Sequence, residues 1–247
     1  GTPLLTDRHK QKTHERFGEK SEFIDTYKIR ESVDDRATLD IVYIGKTSKD
    51  EIDDKDAFDR EFEDVFSKED KETKAEIQKK YGTMQAYLEN KDRLKKIAID
   101  LVDHYVDEIL PNGYKAMVVG SSVYSAAMYQ NFIQQAIKAR LIKEQTKAQK
   151  DEELIEQIAF IDACTVVTMQ DNNEQGFISD ARKKAKELNA VENFKKDFDY
   201  SKNEEGDYLK PETGIAFLCV CDRLLTGFDA PIAQAMYLDK NIREHNL

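Results

Sequence analysis

Short apolar segments alternate with helical ones through the second half of the chain, and this alternation constrains the fold more than any other sequence feature. The strand-like segments are nearly continuous runs of apolar residues: Lys115 to Gly120, Ala163 to Met169, Gly214 to Val220 and Gln234 to Asp239. Helical spacing begins near Val123 and again spans Ile178 to Leu188. Apolar strands separated by helices predict an α/β domain, in which helices cover both faces of a parallel sheet.

The part of the chain before this domain has a different pattern. Residues 50–110 contain no Pro and a single Gly. From Met84 to Ile109, apolar residues recur at the i, i+3, i+4 spacing of an amphipathic helix, and the Pro-Asn-Gly sequence at 111–113 ends it. Further upstream, the run TLDIVYIGK at 38–46 predicts a short strand.

Charge separates the same segments. The chain has a net charge of -11, and residues 50–110 carry most of the excess, with 19 acidic and 11 basic side chains. Such a segment is more typical of a solvated or protein-facing surface than of one that binds phosphate. We therefore predict three parts: residues 1–49, an acidic and mostly helical linker at 50–110, and the α/β domain at 111–247.

The cysteines and the hydropathy limit the classes of protein to which the chain can belong. Cys164, Cys219 and Cys221 lie in apolar, strand-like segments without C-x-x-C spacing, so we expect buried reduced thiols and no metal site. No apolar run approaches the roughly 18 residues that span a bilayer, and there is no charged-then-apolar leader. The prediction is a soluble, cytoplasmic protein.

The sequence contains no recognisable catalytic motif. A P-loop G-x-x-x-x-G-K-[ST], a D-E-x-H and a G-x-G-x-x-G are all absent. The four histidines fall in polar or helical-surface contexts, which argues against a Ser/His/Asp triad. From the residues alone, we predict a domain that binds a ligand at its strand ends and has no catalytic residue of its own.

Two sequences stand at the ends of predicted strands. Ser121 and Ser122 follow a strand and precede a helix, an arrangement that can hold a phosphate. After another strand, Thr226 offers a hydroxyl, Gly227 permits close backbone approach, and Asp229 offers a carboxylate. Both sequences are also ordinary caps and turns, and the residues alone do not decide between the two uses.

Several stretches together resemble one family, the R (motor) subunit of type I restriction-modification enzymes, whose translocase belongs to helicase superfamily 2. GTPL at the start resembles the end of that family's motif III, and IAIDLVDHYVDEILPNGYKAMVVGSSVYSAAMY resembles its motif IV region. LCVCDRLLTGFDAPIAQAMYLDKNIREHNL is very close to its motif V and the strand after it. The resemblance implies a RecA-like fold, with residues 1–49 ending a first lobe and residues 111–247 forming a second.

The resemblance also implies roles for individual residues. Thr2 and Pro3 would couple the ATP state to DNA contact, and Gly227 and Asp229 would approach the nucleotide or relay its state. The DNA contacts would come from three hydroxyl side chains: Ser121, Ser122 and Thr226. Arg223 departs from the family pattern, where Met is usual; it could add a phosphate contact or form a surface salt bridge, and we expect the salt bridge. Residues from about 143 to 193 match the family weakly.

Other implications concern the parent protein. Motifs I and II, which bind ATP and Mg²⁺, and the nuclease domain lie upstream of such a segment, and motif VI with its arginine finger lies downstream. The chain would be an inactive piece of an ATP-dependent endonuclease, with double-stranded DNA and the methyltransferase and specificity subunits as partners. A lobe of another superfamily 2 helicase and a non-catalytic α/β interaction module remain the alternatives.

Overall fold

The computed structural model describes two compact parts of the chain. It covers residues 18–19, 22–23, 29–37, 42, 44–45, 85, 87–168, 176–225 and 227–240. One unit comprises residues 1–53 with 242–247, and the other comprises residues 54–241. In the first unit, strands β1 (Gly18–Glu19) and β2 (Glu22–Phe23) pair in antiparallel fashion, and helix α1 (Ile29–Asp34) follows them.

The second unit contains the alternation that the sequence predicts. Its helices are α2 (Lys91–His104), α3 (Val123–Gln145), α4 (Glu152–Phe160), α5 (Gly176–Glu187) and α6 (Ala190–Phe194). Its strands are β3 (Lys115–Gly120), β4 (Asp162–Thr165), β5 (Ile215–Val220) and β6 (Ala233–Asp239). A π-helical turn (Tyr105–Ile109) and two 3-10 turns (Leu110–Asn112, Pro211–Gly214) complete the described elements.

The four strands β3 to β6 form one parallel sheet in the order β4-β5-β3-β6. Met117 in β3 is in register with Leu218 in β5 and Met236 in β6. The predicted parallel sheet is therefore confirmed. The predicted strand at 163–169 is shorter than expected, because regular pairing ends at Thr165, although the Val166 N–H still donates to the Cys219 carbonyl at 2.9 Å.

Helices cover both faces of this sheet. Ala116 and Val118 point into a core shared with α2 and α3, whereas Met117 and Val119 point into a second core shared with α5 and α6. Adjacent residues of a strand face opposite sides, so β3 contributes to both cores and is buried along its whole length. The three cysteines are free and buried, as expected.

The helical region before the sheet is interrupted, whereas its apolar spacing predicts one continuous helix. Gln85, Tyr87 and Leu88 are helical, and a new helix begins at Lys91, because the Asn90 Oδ1 caps it by accepting a hydrogen bond from the Arg93 N–H at 3.0 Å. A turn of π-helix then precedes the stop at Gly113, which has a left-handed φ of 75°. Sequence spacing does not reveal such a π turn.

A fully buried lysine fixes the start of β3. The Lys115 Nζ donates hydrogen bonds to the carbonyl oxygens of Thr213 at 2.8 Å and Asn193 at 3.3 Å. The same nitrogen lies 4.6 Å from the centre of the Phe198 ring. Burial lowers the pKa of Lys115 to about 7, and the charge of Asp197 opposes this shift. The contacts join β3 to α6 and to the turn that precedes β5.

One sequence prediction is wrong where it can be compared. Val42, Ile44 and Gly45 belong to no strand, and the side chains of Val42 and Ile44 are exposed, although the run at 38–46 predicts a strand. An apolar run of this length does not pair without a neighbouring strand. Within the described residues, no helix is long and apolar enough to cross a membrane.

Candidate functional site

The carboxyl edge of the sheet carries the loops that the sequence singles out. All four strands are parallel, so their carboxyl ends meet at one edge. Val119 in β3 is in register with Val220 in β5 and Leu238 in β6, two residues or fewer from the end of each strand. The loop beginning at Ser121 and the loop that follows β5 therefore start side by side.

Three of the predicted site residues cannot be compared with this geometry. Thr2, Pro3 and Thr226 lie outside the described residues. The proposed coupling role of Thr2 and Pro3 and the DNA contact of Thr226 stay predictions.

Ser122 caps helix α3. Its Oγ accepts a hydrogen bond from the Ser125 N–H at 3.1 Å, and the Ser125 Oγ accepts one from the Ser122 N–H at 2.9 Å, which completes a capping box. The Ser122 hydroxyl also donates to a carboxylate oxygen of Glu89 at 2.5 Å. The Ser121 hydroxyl lies 3.3 Å from the Ser125 Oγ. The cap is thus a structural use of Ser122, and DNA contact by either serine stays a prediction.

Gly120 allows the helix to start directly at the strand end. A Cβ atom at this position would lie 2.6 Å from the Ser125 Oγ and 2.8 Å from the Ala126 nitrogen. No larger residue fits without moving the first turn of α3. The small residue therefore brings the amide groups at the start of α3 to the carboxyl edge, where backbone N–H groups can bind an anion.

The loop after β5 has a buried side and an exposed side. Leu224 and Phe228 pack against the core between the sheet and helices α5 and α6, and the Phe228 ring stacks on Phe194 with a centroid distance of 6.3 Å. Gly227 has a left-handed φ of 68°, and it is exposed together with Asp229. The apolar anchors fix a turn whose polar residues face outward, as a ligand-contacting loop requires.

An ion pair joins the loops after β5 and β6. Lys240 forms a salt bridge with Asp222, and its Nζ lies 3.7 Å from the Cys221 sulfur. The hydrogen bond from Lys240 lowers the pKa of Asp222. Burial and the neighbouring Asp222 raise the pKa of the Cys221 thiol to about 11. Cys221 is thus protonated at neutral pH and is not a thiolate nucleophile.

The end of β6 is held by a network that the sequence reading did not find. The Arg93 guanidinium of α2 pairs with Asp239 through both of its terminal nitrogens, with Nη1 at 2.9 Å from Oδ2. The Tyr129 hydroxyl of α3 donates to the same Oδ2 at 2.5 Å. Burial and the Asp239 charge raise the pKa of Tyr129. The only available signal was the Leu-Asp-Lys sequence at 238–240, which does not identify a partner.

One expectation about an isolated residue needs correction. Arg223 has no carboxylate within salt-bridge distance in the described part of the chain, so the expected surface salt bridge is wrong. Among the same residues, no cluster of three or more His, Cys, Asp or Glu side chains could hold a metal ion. His104 is a half-buried residue at the end of α2, where its Nδ1 lies 2.8 Å from the Tyr237 hydroxyl and its ring packs edge-on against that tyrosine.

Comparison with known families matches two separate parts of the chain. Residues 112–247, just over half of the chain, match the family model for domain 3 of the type I restriction enzyme subunit R. The chain belongs to the type I restriction enzyme R-subunit family. Residues 1–75 of this R-subunit chain match the model of the SWI2/SNF2 ATPase family. The predicted family and the RecA-like α/β fold are confirmed.

Curated relatives of this R-subunit chain carry consistent names. It is 28% identical over 260 residues to the type I restriction enzyme MjaVIIP endonuclease subunit of Methanocaldococcus jannaschii, covering 100% of the chain and 22% of that relative. It is 29% identical over 258 residues to the type I restriction enzyme HindI endonuclease subunit of Haemophilus influenzae, covering 100% of the chain and 20% of that relative. The chain thus spans about a fifth of the length of these relatives.

Proposed function

We propose that this chain is part of the ATP-dependent DNA translocase motor of a type I restriction-modification endonuclease. The parent protein would hydrolyse ATP with Mg²⁺, pull double-stranded DNA past the complex and cleave it afterwards. Its partners would be DNA and the methyltransferase and specificity subunits. The family membership and the names of the relatives, which are endonuclease subunits of type I restriction enzymes, support this proposal.

The observation that carries the proposal is the shared carboxyl edge of the sheet. The start of α3 at Ser121 and Ser122 and the outward turn at Gly227 and Asp229 both lie there. These residues offer backbone N–H groups, small hydroxyls and a carboxylate, and no long side chain suited to reading base edges. Such an edge suits contacts to the DNA backbone, which translocation along any sequence requires.

The domain assignment belongs to the same proposal. Residues 1–49 would end the first RecA-like lobe, residues 50–110 would form the linker and residues 111–247 would form the second lobe. Helix α2, within the proposed linker, packs against α3 and pairs with the end of β6 through Arg93. This contact supports a linker whose last helix is a fixed part of the second lobe.

DNA binding at two salt concentrations tests the proposal. Fluorescence anisotropy would compare two duplexes of unrelated sequence at low and moderate salt, using the 247-residue chain. We expect equal affinity for both duplexes and a clear loss of affinity with salt. Thr226→Ala should weaken binding about tenfold, because a charge-assisted hydrogen bond to phosphate is lost.

A matched substitution separates this effect from a general one. Thr146 lies at the exposed end of α3, where its hydroxyl donates to the Lys143 carbonyl at 3.0 Å, away from the carboxyl edge of the sheet. Thr146→Ala should therefore bind DNA like the unmodified chain. Strong discrimination between the two duplexes, or equal losses for both alanine variants, would contradict the proposal. Binding of neither duplex at low salt would contradict it as well.

A further inference from the structure

A cleft with a cationic rim opens beside the loop that follows β5. Its volume is about 420 Å³, within the range of small-ligand sites. Apolar residues of α5, of α6 and of the segment just after β4 line its interior, among them Val166, Ala185 and Ala190. Basic side chains from α5 and from the loop after β5 surround it: Arg182, Lys183, Lys186 and Arg223.

The helix geometry explains why basic side chains converge there. Arg182 and Lys186 are four residues apart on α5 and therefore lie on one face of the helix. Lys184 belongs to another face and pairs with Asp162 at 3.0 Å. The basic residues of α5 are thus divided between a structural ion pair and the rim of the cleft.

Two of the cations at the rim lack a close acidic partner among the described residues. In the described part of the chain, Lys186 and Arg223 have no carboxylate within salt-bridge distance. Lys183 pairs with Asp180 at 3.7 Å, but both side chains are more than two-thirds exposed, so this pair is weak. Cations without an acidic partner that meet at a cleft favour an anionic ligand. The chain as a whole has a net charge of -11, so this cluster of positive charge is a local feature of the cleft.

We propose that this cleft binds phosphate groups of the DNA backbone. The inference rests on the proposed function and extends the DNA-contacting surface from the carboxyl edge to helix α5. Arg223 lies in the loop after β5, which also carries the exposed Gly227 and Asp229, so a strand held at this loop passes within reach of the rim. Arginine and lysine are the side chains that bind phosphate without reading sequence.

The interior of the cleft fits the rest of a nucleotide backbone. Asn189 adds a polar side chain to the apolar lining formed by Val166 and Ala190. A deoxyribose presents both apolar carbon and oxygen atoms, and this mixed lining matches it. The lining contains no aromatic side chain on which a base could stack, so the cleft suits backbone rather than bases.

The test is the salt dependence of duplex binding by the 247-residue chain with Lys186→Gln and Arg223→Gln combined. Each phosphate contact contributes about 0.9 to the slope of log affinity against log salt, so the double variant should bind with a slope shallower by about 2. The control combines Lys138→Gln and Lys143→Gln, two exposed residues of α3 on the other side of the sheet. It removes the same charge and should leave the slope unchanged.

Each outcome has a distinct meaning. A double variant that folds normally by circular dichroism and keeps the original slope would overturn the proposal that the cleft binds DNA phosphate, while leaving the proposed function intact. A chain that shows no salt-dependent binding before any substitution would overturn the proposed function and the cleft with it. Equal slope changes in the control would show that only net charge matters, which also overturns the cleft.

A second titration, with a nucleotide in place of DNA, tests whether the cleft binds the phosphates of DNA or those of a nucleotide. Binding of a fluorescent ATP analogue would be titrated with both double variants. Loss of nucleotide binding in the Lys186 and Arg223 variant, with an unchanged DNA slope, would overturn the assignment to DNA. An unchanged nucleotide affinity combined with the shallower DNA slope would support it.

Discussion

Arg93 and Asp239 stand 146 residues apart in the sequence and form a paired ion contact between helix α2 and the end of β6. The side chains are only 18% and 12% exposed, so the pair is largely removed from water. Removing one partner of such a pair leaves a buried charge without compensation. The contact therefore fixes both the last helix of the proposed linker and the edge strand of the sheet.

Arg93→Met should lower the free energy of unfolding by about 3 kcal/mol, because Asp239 would lose its cationic partner and keep, among the described side chains, the Tyr129 hydroxyl. Urea unfolding followed by circular dichroism measures this change. Lys143→Met, at an exposed site on α3, should change stability by less than about 0.5 kcal/mol. Equal stability of the two variants would show that the Arg93 pair adds nothing.

Lys115 should make stability rise with pH above neutrality. Its pKa falls from an ordinary 10.5 to about 7 on burial, so between these values the unfolded chain holds a proton that the folded chain has released. The free energy of unfolding should then rise by as much as about 1.4 kcal/mol per pH unit in this window.

Lys115→Met removes this titrating group. Urea unfolding from pH 7 to 10 should show a flatter pH dependence in the variant than in the unmodified chain. Below pH 7, the two chains should show parallel pH dependence, because the amine is protonated in both states there. A variant that retains the full rise above pH 7 would disprove the assignment to Lys115.

Gly120→Ala should destabilise the fold by about 1–3 kcal/mol, because the added Cβ would meet the Ser125 Oγ at 2.6 Å and the helix start would have to move. The same movement should weaken DNA binding in the anisotropy assay. Gly176→Ala provides the control, since no atom lies within 4 Å of its added Cβ. A control that loses as much stability as Gly120→Ala would argue against steric crowding at Gly120.

Gly227 should tolerate Asn better than Ala. Its φ of 68° is left-handed and its surroundings are open, so the cost of substitution comes from the backbone alone. Gly227→Ala should lose about 1 kcal/mol of stability, whereas Gly227→Asn should lose less, since Asn enters this conformation more readily. Thermal unfolding of both variants measures the difference. The opposite order would mean that side-chain contacts decide the outcome.

The isolated chain should not hydrolyse ATP in the presence of Mg²⁺ and duplex DNA. Phosphoryl transfer needs a phosphate-binding loop and charge neutralisation in the transition state, and the sequence contains no P-loop, D-E-x-H or motif VI. A coupled colour assay that measures phosphate release tests this expectation. Steady turnover that persists in repeatedly purified samples would contradict it.

Local sequence patterns predicted the sheet better than they predicted its connections. The run from Lys115 to Gly120 is apolar after its first residue and ends in Gly, and β3 has these bounds. Helix α4 and helix α6 were not predicted, because both are short. A short helix owes its stability to tertiary packing more than to its own spacing.

The candidate site was only partly accessible to sequence reasoning. Motif resemblance selected Ser122 and Gly227, which both lie at the carboxyl edge of the sheet, but it could not show that the Ser122 hydroxyl is engaged by Ser125 and Glu89. Nor could it place Arg223 beside Lys186, since residues from different elements meet only in the folded chain. Contacts between elements distant in sequence are set by the fold, and spacing along one element does not encode them.

The central position of β3 has a mechanical consequence. β3 is hydrogen-bonded to β5 on one side and β6 on the other, and all three run in the same direction. A pull on the loop after β3, directed along the strand, would load both ladders in shear, so many hydrogen bonds would resist together instead of opening one by one. A segment attached to this loop would then pull on a strand that is held by neighbours on both sides.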